Sequence, residues 1–88
     1  MPDYHMLIYH SNIAGSKYTE VRVFKNCREA ENEFESCKSY ILNLASEGEM
    51  DDSIWTEDLF VSLNCDDTSI MCEVFSGDFG EKQNVYIV

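Results

Sequence analysis

The sequence predicts an α+β fold in which an antiparallel β-sheet is covered on one face by one long α-helix. One long stretch carries apolar residues at helical spacing, and shorter stretches on both sides of it alternate apolar and polar residues as strands do. Short segments of turn-forming residues join the strands, and strands joined in this way pair antiparallel. The predicted order is β-β-α-β-β-β in a single domain, residues 1–88, without repeats or linkers.

The first two predicted strands form a hairpin. Tyr4 to His10 is rich in aromatic and aliphatic residues, and Ser11 to Ser16 contains Asn and Gly, which favour a loop. Tyr18 to Phe24 returns as the second strand. Val21 and Val23 fall on one face of it, with Glu20 and Arg22 on the other, so we expect the valine face to pack against the helix.

The helix is predicted from Cys27 to Glu47. Its apolar residues recur every three or four positions and form one stripe, which a strand cannot do. Asn26 is expected to cap the helix by accepting from the backbone N–H of Glu29. Gly48 is expected to end it in the left-handed conformation. The stripe consists of Cys27, Ala30, Phe34, Cys37, Ile41 and Leu44.

An acidic connector from Glu49 to Asp58 follows the helix. It carries Ile54 and Trp55 in its middle, and we expect a short helical turn that brings Trp55 to the edge of the core. The rest of the chain reads as strands and turns by alternation and turn residues. These elements are a strand from Leu59 to Cys65, a turn at Asp66 to Thr68, a strand from Ser69 to Phe75, a loop from Ser76 to Gly80 and a terminal strand from Val85 to Val88.

The charge is strongly negative and unevenly distributed. The chain carries 17 acidic and 6 basic residues, a net charge of -11, yet it is 44% hydrophobic, too apolar for a disordered acidic tail. From Ser39 onward there are 11 acids and one base, so this part alone contributes -10. Direct binding of nucleic acid needs clustered Lys and Arg, so we do not expect this protein to bind nucleic acid directly. A cationic protein partner is favoured.

No pattern in the sequence indicates catalysis, a metal or a cofactor. His5 and His10 have opposite parity on the first strand and are interpreted as surface or edge residues. The four cysteines have no CxxC spacing, and neither a phosphate-binding glycine loop nor a calcium-loop pattern is present. We therefore predict a protein that is not an enzyme. Without a signal-peptide pattern or a long apolar run, it is expected in a reducing cytoplasm with its cysteines free.

Two groups of acids are candidates for binding a partner. The first lies on the helix, where a solvated face stabilised by the helix dipole is the better explanation for these acids taken alone. The second crowds the connector, where folding gains nothing obvious from six negative charges. The candidates are Glu29, Glu31, Glu33 and Glu35 on the helix, and Glu47, Glu49, Asp51, Asp52, Glu57 and Asp58 around the connector.

Aromatic residues accompany the second group. Trp55 either closes the core or anchors an interface ringed by charges. Phe60, Met71 and Phe75 share the sheet face opposite the helix, and Phe79 is a further candidate outward residue. A sheet covered on one side leaves such residues in water, so this face could pair with a second copy of the chain.

In size, acidity and α+β order without catalytic motifs, the chain resembles small phage-encoded inhibitors of host defence, the anti-CRISPR and anti-restriction proteins. The resemblance implies a non-enzymatic inhibitor that occupies the nucleic-acid-binding surface of a host defence enzyme, in some members as a mimic of the DNA backbone. It assigns no role to any single residue. Two alternatives stay open: a cytoplasmic protein-interaction or regulatory module, and a structural homodimer using the face of Phe60, Met71 and Phe75.

Overall fold

A computed structural model describes residues 3–77 and confirms the α+β fold: one helix packed against a five-stranded antiparallel sheet. The predicted terminal strand Val85 to Val88, most of the predicted loop Ser76 to Gly80, and Phe79 lie outside the described residues. The elements are β1 (Tyr4–Ile13), β2 (Ser16–Phe24), α1 (Cys27–Glu47), a 3₁₀ turn (Asp51–Ser53), β3 (Ile54–Glu57), β4 (Phe60–Cys65) and β5 (Thr68–Gly77).

The strands lie in the order β2-β1-β5-β4-β3. At the centre, β1 and β5 pair along their whole lengths, from Tyr4 opposite Gly77 to Ile13 opposite Thr68. The hairpins β1–β2 and β3–β4 extend the sheet on either side of this pair. The first and last described strands are therefore neighbours, and β2 and β3 are the outer strands of the described sheet.

The first hairpin is tighter than predicted. Ile13 pairs with Ser16, so the turn consists of Ala14 and Gly15 alone, and the predicted loop residues Ser11 to Ile13 belong to β1. Both turn residues have positive φ, 52° and 86°, as a type I′ hairpin turn requires. Such a turn matches the twist of the strands it joins, which explains why pairing continues up to it.

The helix has the predicted bounds, but both of its ends differ in detail from the prediction. The Asn26 Oδ1 accepts from the backbone N–H of Arg28 at 2.8 Å, and not from that of Glu29. Gly48 has φ -92° and donates its N–H to the Leu44 carbonyl oxygen at 3.0 Å. The left-handed residue is Glu49, with φ 55°.

The core lies between the helix and the central strands. From the helix, Ala30, Phe34, Ile41 and Ala45 are buried. Cys27, expected on the same stripe, is exposed, whereas Cys37 and Leu44 are half-buried against the core. The sheet contributes the buried residues Leu7, Val61, Leu63, Ile70 and Cys72.

The prediction for the faces of β2 is wrong. Val21 and Val23 are 52% and 57% exposed. Arg22 lies opposite Leu7, whose side chain is in the core, so Arg22 is on the helix side of the sheet. There its guanidinium donates to the Glu33 carboxylate at 2.9 Å. The reason is position: β2 is an outer strand, and the helix lies mainly over the more central strands.

Candidate partner-binding surface

Six exposed carboxylates lie close together in the sequence between the end of the helix and the start of β4, and they are called the acidic edge here. They follow the end of the helix, the 3₁₀ turn and β3, which is the outermost strand on that side of the described sheet. The connector is thus more ordered than predicted, because Ile54 to Glu57 pairs with β4 from Leu63 to Phe60. The acidic edge consists of Glu47, Glu49, Asp51, Asp52, Glu57 and Asp58.

Within residues 3–77 no basic side chain lies within ion-pair distance of the acidic edge. The two ion pairs there are both made by Arg22, with Glu20 at 3.1 Å and with Glu33 at 2.9 Å. The last turn of the helix contains no basic residue either. Among the described residues, the carboxylates of the acidic edge are therefore exposed and without a basic partner.

Two local effects make the acidic edge unfavourable for folding. Glu47 and Glu49 place negative charge at the C-terminal end of the helix, where the helix dipole is already negative. Glu49 also adopts a left-handed conformation, which costs a residue other than glycine about 1–2 kcal/mol. At Glu49 this cost is offset by two capping bonds that the turn makes possible, from the Met50 N–H to the Ala45 carbonyl oxygen at 2.7 Å and from the Glu49 N–H to the Ser46 carbonyl oxygen at 3.3 Å. The two negative charges at the helix end have no basic partner among the described residues.

Replacing Glu49 with glycine is expected to raise the free energy of unfolding by about 1 kcal/mol. The change removes the left-handed strain and the repulsion from the helix end, and the added freedom of the unfolded chain offsets part of the gain. Glu49→Gln is the matched control, since it removes only the charge and should give a smaller increase. Urea unfolding measures both, and an unchanged or lower midpoint for Glu49→Gly would refute the cost assigned to this residue.

Trp55 does not close the core. Its side chain is 62% exposed and lies on the sheet face opposite the helix, across from Ser62 of β4. Glu57 of the acidic edge is on the same face two residues further along β3. An exposed tryptophan and one carboxylate of the acidic edge, Glu57, therefore share a face of β3, as an interface anchor and its charged rim would.

The sheet face opposite the helix, called the open sheet face here, carries apolar residues on all five strands. The strand register confirms that Phe60, Met71 and Phe75 share it. The residues of β1 and β2 on this face were not predicted, and for β2 the valine face had been expected to pack inward. Its apolar members are Met6, Ile8, Val21, Val23, Trp55, Phe60, Met71 and Phe75, of which Val21, Val23, Trp55 and Phe75 are exposed.

The four helix glutamates form a separate group. Glu33 accepts from Arg22, and the Glu31 carboxylate accepts from the Cys27 thiol at 3.3 Å. Glu31 and Glu47 are 16 positions apart in one helix, which corresponds to roughly 24 Å along its axis. The structure therefore does not combine the two predicted acidic groups into one surface.

The histidines lie on opposite faces of β1, as their parity predicted. His5 is buried, contrary to the sequence interpretation, and its Nδ1 lies 2.6 Å from the Ser76 Oγ. The His10 Nδ1 lies 2.8 Å from the Thr19 Oγ1. Among the described residues, no three His, Cys, Asp or Glu side chains are grouped so that they could hold a metal ion. No described helix has the length and apolar character needed to cross a membrane.

The four cysteines are free, and one of them is held firmly in the thiol form. Burial, together with the neighbouring Cys37 thiol, raises the pKa of Cys72 to about 12. The Cys27 thiol has its pKa raised by donation to the Glu31 carboxylate. Since the thiolate is the reactive form, neither residue has the low pKa of a nucleophile.

Cys72 is expected to resist Ellman's reagent at pH 8 until the protein unfolds, whereas the exposed Cys27 reacts in the native state. Peptide mass spectrometry after timed labelling measures the rate of reaction at each cysteine.

The raised pKa of Cys72 has a second consequence, for the pH dependence of stability. The unfolded chain releases the Cys72 proton above pH 9 and the folded chain only near 12, so stability falls with rising pH in this interval. In the labelling experiment, reaction of Cys72 in the native protein as fast as that of Cys27 would contradict the burial of Cys72.

Comparisons of the chain with models of protein families, with curated proteins and with solved structures find no match.

Proposed function

We propose that the protein is a non-enzymatic inhibitor that binds, through its acidic edge, the basic nucleic-acid-binding surface of a host defence enzyme. It would act in the host cytoplasm in the manner of the small phage-encoded anti-CRISPR and anti-restriction proteins, with its carboxylates in place of DNA phosphates. One observation carries the proposal: six exposed carboxylates without basic partners among the described residues are concentrated in the segment that carries the exposed Trp55.

The electrostatics of such a target explain why carboxylates would be effective. A groove that binds phosphates holds several Lys and Arg side chains close together, and their mutual repulsion is relieved by an array of anions. The acidic edge supplies such an array on a helix end, a turn and a strand, all of which are ordered. Trp55 adds apolar area that can be desolvated, and charge alone does not provide this.

The unfavourable effect of the acidic edge on folding stability also supports a role in binding. The charges of Glu47 and Glu49 oppose the helix dipole, and Glu49 is strained. The helix glutamates differ, since they lie in the half of the helix nearer its positive N-terminal end, where Asn26 caps it, and Glu33 has a basic partner. Glu47 and Glu49 are therefore the members of the acidic edge that stability does not account for.

A competition assay tests the proposal. A guide-loaded CRISPR nuclease and a type I restriction enzyme would each be bound to fluorescent duplex DNA, and the protein added at stoichiometric amounts. We expect the anisotropy of the DNA to fall for at least one enzyme, and the effect to weaken as salt is raised. Lysozyme, a basic protein without a nucleic-acid groove, controls for unspecific attraction. Equal binding to lysozyme, or retention of DNA by both enzymes, would count against the proposal.

A homodimer formed through the open sheet face is the second candidate. The exposed side chains of Val21, Val23 and Phe75 favour it, because contiguous apolar area on a sheet seldom remains in water. Sedimentation at increasing concentration would show a dimer, and Phe75→Lys should dissociate it, whereas Leu42→Lys on the exposed side of the helix should not. A monomer at all concentrations would leave a protein-interaction or regulatory module as the remaining alternative.

A further inference from the structure

A groove of about 250 Å³ lies between the helix and the hairpin β1–β2, on the opposite side of the sheet from Trp55. It exists because β2 is an outer strand: its helix-side residues project past the helix without being covered by it. Tyrosines from three elements meet there although they are far apart in the sequence. The lining residues are Tyr9, Tyr18, Glu20, Ser36, Cys37 and Tyr40.

Three aromatic rings form the walls of the groove. The rings of Tyr9 and Tyr18 are 6.1 Å apart between centroids and tilted by 60°. Tyr40 lines the groove from the helix. Tyr18 and Tyr40 remain 54% and 53% exposed, so their faces are accessible from solvent. Aromatic faces carry negative electrostatic potential and attract cations placed over them.

The charge at the groove is negative as well. Among the described residues, the lining contains one carboxylate, that of Glu20; its Oε1 accepts from the Tyr18 hydroxyl at 3.2 Å and its Oε2 lies 3.1 Å from the Arg22 Nη2. Arg22 donates through Nη2 to Glu20 and through Nη1 to Glu33, so one guanidinium serves two carboxylates. The group retains one net negative charge beside an aromatic wall.

We propose that this groove is a binding site for a basic side chain, lysine or arginine, of a protein partner. The aliphatic stem would lie against the tyrosine rings and the charged head near Glu20. A neutral apolar side chain would use the rings but gain nothing from the carboxylate, whereas an acidic one would be repelled. The inference is independent of the acidic edge and of the nature of the enzyme proposed above.

NMR titration with single amino-acid analogues tests the assignment. The probes are the N-acetyl N-methylamides of lysine and arginine, and the control is that of norleucine, which has the lysine stem without the ammonium group. We expect both basic probes to shift the ring signals of the groove tyrosines and to bind about two- to five-fold more tightly than norleucine. Norleucine binding as tightly as the basic probes, or no ring shifts with any probe, would overturn the proposal.

Variants separate the contributions of the rings and the charge. Tyr40→Leu keeps the groove apolar and should abolish the preference for the basic probes, and Glu20→Gln should reduce it. Trp55→Leu is the matched control, an exposed aromatic outside the groove, and should change nothing. Neutralising the acidic edge should also leave the titration unchanged, so failure of the inhibitor proposal and failure of this one give different results. A preference that survives both groove variants would refute the assignment.

Discussion

Replacing Phe34 with alanine is expected to lower the free energy of unfolding by about 3–5 kcal/mol. Phe34 is 2% exposed and is the largest of the fully buried side chains. It packs in the same cluster as Leu7, Val61 and Leu63, so its removal leaves a cavity between the helix and the sheet. Domains of this size have a total stability of only about 5–15 kcal/mol, so much of the variant could be unfolded at 25 °C.

Urea unfolding at equilibrium measures the effect, and neighbouring positions on the helix supply the controls. Ile41→Ala, at a position with no exposed surface, should cost about 2–5 kcal/mol. Leu42→Ala, one residue further along and 38% exposed, should cost much less. Equal midpoints for Phe34→Ala and the native protein would mean that the helix does not cover the sheet as described.

Neutralising the acidic edge should slow association with a basic partner by about ten-fold or more at low salt. The variant replaces Asp51, Asp52, Glu57 and Asp58 with Asn or Gln, removing four of the six carboxylates while leaving Trp55 in place. Exposed charges act at long range and steer encounter, so the main change should be in the association rate and in its salt dependence, which becomes flatter. Stopped-flow measurements over a series of salt concentrations, with the enzyme that loses DNA in the competition assay, determine both quantities.

The matched control neutralises Glu29, Glu31, Glu33 and Glu35, an equal number of charges at the other end of the helix. It should alter association less, because these acids lie away from Trp55 and Glu33 is already paired. Circular dichroism of both variants checks that the fold is intact. If the acidic-edge variant associates as the native protein does at every salt concentration, mimicry by the acidic edge is wrong and the open sheet face becomes the candidate.

The helix could be predicted from the sequence to the residue, because its periodicity and Asn26 are local signals. Which face of β2 is turned toward the helix could not be predicted. Val21 and Val23 alternate as core residues do, but only the position of β2 in the sheet decides which face is buried, and strand order depends on pairing between distant segments. β3 was missed because it is four residues long and surrounded by acids.

The candidate site was predicted in part. The acids of the connector are exposed, as a binding role requires, but the position of Trp55 was open until the pairing of β3 with β4 placed it on the open sheet face. No pattern in the sequence indicated the tyrosine groove, since Tyr9, Tyr18 and Tyr40 come from three elements and meet only after the hairpin and helix have packed. Sites assembled from distant segments leave no local pattern to read.

The central pairing of β1 with β5 has a consequence for how the protein folds as it is synthesised. Partners such as Tyr4 and Gly77 are 73 positions apart, so the middle of the sheet can form only after nearly the whole described chain has left the ribosome. At about 5–20 residues per second, the hairpin β1–β2 and the helix then wait several seconds with their apolar surfaces uncovered. Closing so long a loop also makes folding slow compared with helical proteins of this size. The nascent chain is therefore most vulnerable to proteases and to association with other chains just before β5 emerges.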